Sequence, residues 1–313
     1  MTLLDSLRTS AKPSTAPALD MKIDTEQILA KIVKDQVTVV VPTLNEAEAI
    51  SQVIQELRKE GYHNILVVDG YSTDRTDRIA FGNGVKLAYQ HGIGKAGGVK
   101  TALEPIKTPF IVFMDGDGTY DPKDIWRLVN HTDHYVHVIG ARDRRNIDRV
   151  HRFGNWSISH LFSLLFGMKE SDVCSGMYLL ETDVARRYTL EEPGFAAEIE
   201  LAAQSASAEQ LTEVPVSYRR RTGVKKLDTW RDGRAIISAV FRLAWKYNPL
   251  LLCAGLGGLS VVPAGLILSW VALEHLTMAV WHQGWALLGG ILLILGTQAL
   301  TLAGISSRIR RDD

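Results

Sequence analysis

The sequence predicts an α/β fold: a mostly parallel sheet with helices on both faces, followed by a pair of long apolar helices. Three observations carry this. From Val37 to Arg142, short β-branched apolar runs alternate with stretches of helical periodicity, the pattern of successive βαβ units. Most of those runs are continuously apolar, as strands buried on both faces are. In the C-terminal third, residues 249–272 and 283–305 carry no charge, and each is about as long as the ~20 residues that cross a bilayer.

Residues 1–35 read as a tail rich in Ser, Thr, Ala and Pro that leads into a short amphipathic helix, with Ile28, Leu29, Ile32 and Val33 on one side. VTVVV (37–41) is a strand closed by Pro42. Residues 46–60 form a helix, because Ile50, Val53, Ile54 and Leu57 recur at helical spacing. NILVVDG (64–70) is the second strand, and DRTDRIA opens a helix with Thr73 or Asp74 as its cap. VKLAYQ is a short strand, KAGGVKTALEPI a helix, and FIVFMDGDG a strand. DPKDIWRLVNHT is a helix with Pro122 in its first turn, and YVHVIGAR is a further strand. The main domain is expected over 36–230 and an amphipathic helix over 231–248. Two membrane-crossing helices follow over 249–305, then a basic tail over 306–313.

The chain has 313 residues, 35 basic and 35 acidic, so its net charge is zero. That gives no support for a nucleic-acid partner, which would call for a basic surface. Cys174 and Cys253 make no disulfide framework, and the N-terminus lacks the apolar core of a secretory signal. Trp270, Trp281 and Trp285 stand near the ends of the apolar runs, where interfacial anchors belong. Lys and Arg precede the first run (Arg231, Arg234, Arg242, Lys246) and follow the second (Arg308, Arg310, Arg311), while the connector has none. That asymmetry predicts a hairpin with both ends on the cytoplasmic face. His131, His134 and His137 match no standard zinc spacing.

The stretch MDGDGTYDP (114–122) ends a core strand in acids and glycines. A turn explains Asp and Gly. Yet Asp115 and Asp117, two apart, point the same way in an extended stretch, and side-by-side carboxylates repel unless a cation or proton intervenes. Hard divalent cations take such oxygens and share them with phosphate. Pro42–Glu46, Asp69–Asp74 and Asp115–Thr119 all lie at strand ends, where α/β sheets bind ligands. GIGKAGG is no Walker A loop, but it brings a glycine-rich turn into a helix whose N–H groups face outward.

VVVPTLNEAEAI (39–50), LVVDGYSTDRT (66–76), GKAGGVKTAL (94–103) and MDGDGTYDP are followed by DVCSGMYLL (172–180), GFAAEIEL (194–201) and VPVSYRRRTGVKKLDTWRDG (214–233). In this order they resemble family 2 glycosyltransferases of the GT-A fold, and more closely the branch containing dolichol-phosphate mannose synthases and polyprenyl-phosphate glycosyltransferases. The likeness spans about residues 37–245. It implies an inverting transfer of one sugar to a polyprenyl or dolichyl phosphate at the membrane. The donor would be UDP-glucose, UDP-N-acetylglucosamine or GDP-mannose.

On that resemblance, Pro42, Leu44, Asn45 and Glu46 line the nucleotide pocket, and Asp69 hydrogen-bonds base or ribose. Lys95, Gly97 and Gly116 border the donor. Asp115, Asp117 and Thr119 hold Mg²⁺ or Mn²⁺, Thr119 standing where the family often has Gln. Glu198 and Glu200 are the acidic candidates near the sugar; about 200° apart on a helix, only one faces the site, and Glu198 is favoured. Arg142, Arg149, Arg152, Arg221 and Lys226 are expected on the acceptor phosphate. Val68 replaces an acid usual in the second motif. A saccharide acceptor and a non-catalytic membrane scaffold remain as alternatives, and a homo-oligomer through the apolar helices is left open.

Overall fold

The computed structural model describes residues 33–147, 149–169, 172–191, 196–208, 210–221 and 229–312. The expected N-terminal helix and Lys226 lie outside them. A seven-stranded sheet runs in the order β3-β2-β1-β4-β6-β5-β7. Its strands are β1 Val37–Thr43, β2 Ile65–Asp69, β3 Lys86–Tyr89, β4 Phe110–Met114, β5 His137–Arg142, β6 Met177–Glu181 and β7 Leu211–Val216. β1 pairs in parallel with β2 and β4, β2 with β3, and β5 with β7. Only β6 is reversed, antiparallel to both β4 and β5. The other six strands therefore all end at one edge of the sheet, and the site is built there.

The helices are α1 Ile50–Lys59, α2 Thr76–Gly82, α3 Gly94–Leu103, α4 Ile125–Val129, α5 Arg149–Phe166, α6 Thr182–Arg187 and α7 Ala197–Ser207. Ile50, Val53, Ile54 and Leu57 of α1 are buried, the face that the spacing predicts, and they join Val39, Val41, Val67 and Val112 in the core. α1 begins at Ile50 rather than at Glu46. The intervening turn is held by the next loop: Glu46 N donates to Thr76 Oγ1 (2.8 Å) and Ala47 N to Asp74 Oδ2 (2.9 Å).

The chain forms two compact units. One runs to Val240, interrupted at Phe162–Met168; the other comprises Phe162–Met168 and Phe241–Asp313. The division falls within helix α8 (Thr229–Tyr247), and a piece of α5 belongs to the second unit. In that unit α9 (Pro249–Met278) and α10 (Gln283–Asp312) form a hairpin. Both are long and apolar enough to cross a membrane, and only 22% and 17% of their most apolar windows is buried, unlike core helices of a soluble protein. The hairpin closes through glycine. A Cβ on Gly257 would lie 2.6 Å from Leu300 Cγ, and one on Gly296 would lie 2.6 Å from Val261 Cγ2.

Candidate active site

The loops after β1 and β2 are stitched together first. Thr43 and Asp69 are register partners. Asp69 is fully buried and spends its oxygens locally: Thr43 Oγ1 (3.2 Å) and Ser72 Oγ (2.6 Å) donate to Oδ1, and Ser72 N donates to Oδ2 (2.8 Å). Asn45 takes φ +53, a conformation Asn tolerates better than most residues. Its N–H donates to Ser72 Oγ (2.8 Å), and its Oδ1 accepts from Thr73 N (2.7 Å). Asp69, expected on base or ribose, thus shapes this loop. Pro42 is the penultimate residue of β1, with Leu44 half-exposed beside Asn45.

Next comes the charged centre. β4 delivers Asp115 and Asp117, with Gly116 packed on Thr43 and Val41. The Asp115 carboxylate lies over Gly176: a Cβ there would be 2.0 Å from Oδ2 and 2.4 Å from Cγ, so any side chain would displace the acid. Gly176 N is fixed in turn by Tyr120 OH (2.8 Å). From α3, Lys95 Nζ bridges Asp115 Oδ1 (3.2 Å) and Glu198 Oε1 (2.5 Å). Gly97 lets that helix start against the preceding loop, since a Cβ would meet His91 O at 2.7 Å. Arg221 Nη1 reaches Asp117 Oδ2 (3.1 Å), and Nη2 reaches Glu46 Oε1 (2.7 Å). Four carboxylates and two cations, from separate segments, therefore meet at one strand edge.

Electrostatics follow from this crowding. Burial pulls Lys95 down, but Asp115 and Glu198 outweigh it and hold the ammonium well above its usual range. Burial raises Glu198, with Asp115 adding and Lys95 opposing. Burial, then repulsion from Asp115, raises Asp117 against the pull of Thr119 and Arg221. Glu200 accepts from Glu191 N (2.8 Å), so Glu198 is the acid on Lys95.

Several expected contacts are placed differently. Thr119 is fully buried and donates to Asp117 Oδ1 through both its hydroxyl (2.6 Å) and its N–H (3.1 Å). Thr119, expected as a third metal ligand, thus orients Asp117. Arg142, expected on the acceptor phosphate, is paired with Asp172, its Nε and Nη2 donating at 2.7 and 2.6 Å. Arg152 is exposed on α5, and Arg149 begins that helix.

Residues 38–186 match the model for glycosyl transferase family 2. Glycosyltransferase AglJ of Haloferax volcanii is 34% identical over 284 residues, covering 88% of this chain and 94% of that protein. The chain belongs to glycosyl transferase family 2. The dolichyl-phosphate hexose transferase of the same organism is 30% identical over 218 residues, covering 67% of this chain and 94% of that one. Glucosyl-3-phosphoglycerate synthase from Mycobacterium tuberculosis, solved with Mn²⁺, UDP and glucosyl-3-phosphoglycerate, has a TM-score of 0.57 at 18% identity. It covers 69% of this chain and 82% of that structure, and the likeness is one of GT-A fold.

In this family 2 glycosyltransferase two features escaped the sequence reading. Gly176 stood inside a quoted motif with no role. Arg219 clamps the edge: Nη1 meets Glu56 Oε2 and Nη2 meets Asp121 Oδ2, each at 2.8 Å, and its N–H donates to Thr119 O (2.7 Å). The signal was available in YRRR, where alternate residues of an extended segment share a side.

Proposed function

We propose that this enzyme is a membrane-anchored, inverting glycosyltransferase that moves one sugar from a nucleotide sugar to a polyprenyl or dolichyl phosphate. The observation that carries the reading is the joining of this charged centre, in one chain, to two helices of bilayer-crossing length. A relative of similar sequence is named a dolichyl-phosphate hexose transferase.

In this reading an acceptor phosphate oxygen attacks the anomeric carbon. The bond from that carbon to the diphosphate oxygen breaks, and the nucleoside diphosphate leaves with the electron pair. A phosphate nucleophile is already ionised near neutral pH, so no strong base is needed. Lys95 and Arg221 supply positive charge on either side of the acidic pair. Arg221 Nε is buried without a hydrogen-bond partner, a donor free for an anionic ligand.

The donor set fits a divalent cation. Asp115 and Asp117 are two hard oxygen ligands that repel each other, a pair suited to a divalent cation that takes its remaining ligands from substrate oxygens. When bound there, Mg²⁺ or Mn²⁺ neutralises the departing diphosphate. Along α8, exposed Ile237, Phe241 and Trp245 recur at every fourth residue beside Arg234, Arg242 and Lys246, a surface suited to anionic headgroups. The charge asymmetry around the hairpin supports a cytoplasmic location for both its ends.

A second reading, transfer to a saccharide hydroxyl, is favoured by buried Glu198, a carboxylate whose proton affinity is raised. Label transfer separates them. Full-length protein in detergent, given polyprenyl phosphate and radiolabelled UDP-glucose, UDP-N-acetylglucosamine or GDP-mannose, is expected to move label into the organic phase. Label only in soluble saccharide supports the second reading, and no transfer from any donor supports a scaffold.

A further inference from the structure

Tyr71 and Tyr89 form an exposed pair that neither the core nor the charged centre explains. Their rings stack with centroids 5.7 Å apart and planes 19° from parallel. Tyr71 is 64% exposed and Tyr89 45%. Tyr71 also holds φ +63, in the left-handed region that costs a bulky side chain most. Burial does not offset that strain, because the ring is mostly in water.

The strain is imposed from beneath. Asp69 and Asn45 together fix Ser72 and Thr73, and Gly70 N donates to Thr43 O (2.8 Å). The loop is over-determined, and its product is a tyrosine ring held outward at the end of β2. Tyr89, the register partner of Asp69, backs it, and the Tyr89 hydroxyl is tied to Asp77 Oδ2 (2.9 Å). Strain kept at a sheet edge, with only the stacked Tyr89 ring to offset it, is the kind of backbone cost that gathers at ligand contacts.

Position selects the ligand. In the order β3-β2-β1-β4, the end of β2 stands two strands from β4. With strands about 4.8 Å apart, that is about 10 Å from Asp115 and Asp117. A nucleotide whose diphosphate lies on the acids extends its base by one ribose in that direction. Resting on the reading of this edge as the donor pocket, we infer that Tyr71, backed by Tyr89, is the stacking platform for the donor's nucleobase. Stacking is tolerant of base identity, since every base has a π-face. With Asp69 committed to Thr43 and Ser72, the platform supplies affinity for uracil and guanine alike.

Calorimetric titration of the full chain in detergent with Mn²⁺ tests this, using UDP, GDP and pyrophosphate as probes. Tyr71→Ala and Tyr71→Gly are expected to weaken UDP and GDP by roughly 5- to 150-fold and to leave pyrophosphate unchanged. Tyr71→Phe is expected to bind as the wild type does. Tyr71→Gly is also expected to melt no lower than the wild type, because glycine adopts this φ freely. Unchanged UDP and GDP affinity in both variants overturns the platform alone. So does an equal loss of pyrophosphate binding, which reports a damaged loop. A wild type that binds no nucleotide overturns the donor-pocket reading together with the platform.

Discussion

Asp117 concentrates the tension of the site. It is buried, repelled by Asp115, and held by Thr119 and Arg221. Because its folded pKa is raised, its contribution to stability is present below the unfolded aspartate value of about 3.9 and is lost as pH rises through the folded value. Ionised Asp117 therefore opposes folding at neutral pH. In chelator, Asp117→Asn is expected to raise the melting temperature at pH 7, an advantage that vanishes below about pH 4. The same variant, with metal, is expected to lose on the order of 10²–10³ in turnover. A variant that melts lower at pH 7 yet turns over normally contradicts both the electrostatics and the role. The acidic pair was legible in the sequence because residues two apart share a side of a strand. The commitment of Asp69 was not. It depends on the register that sets Thr43 beside it, and Gly176 comes to Asp115 only through the pairing of β4 with β6.

At the level of elements, continuous apolar runs made β1, β2 and β4 readable, since strands covered on both faces have no polar alternation. β6 was not read as a strand. Its reversed direction has no local signature either, because MYLLE pairs as well antiparallel as parallel. The start of α1 was misjudged by a turn for a tertiary reason: side chains of the following loop hold Glu46 and Ala47 out of the helix. The α9–α10 hairpin rests on Gly257 and Gly296, where the helices approach too closely for a Cβ. Gly296→Val is expected to separate them at a cost of about 1–3 kcal/mol. The half-buried Gly290, whose Cβ would meet nothing, should accept Val at little cost. Thermal aggregation of the detergent-solubilised protein compares the two, and equal midpoints contradict the packing described.

At the scale of the whole molecule, the proposed reaction needs a cytosolic donor and a lipid acceptor to meet at the membrane, so topology tests it. In a cysteine-free background, a thiol at Met278 is expected to label from outside intact cells, and one at Asp312 only after permeabilisation. Equal labelling of both contradicts the hairpin orientation. The central claim is the bond that forms, between the anomeric carbon of a sugar and the phosphate of a lipid. Phosphorus NMR of polyprenyl phosphate, incubated with full-length protein, divalent metal and the donor that labels it, reads that bond directly. The account predicts that the phosphomonoester resonance falls as a phosphodiester resonance rises in step with released nucleoside diphosphate. Release of nucleoside diphosphate with the monoester unchanged would contradict it.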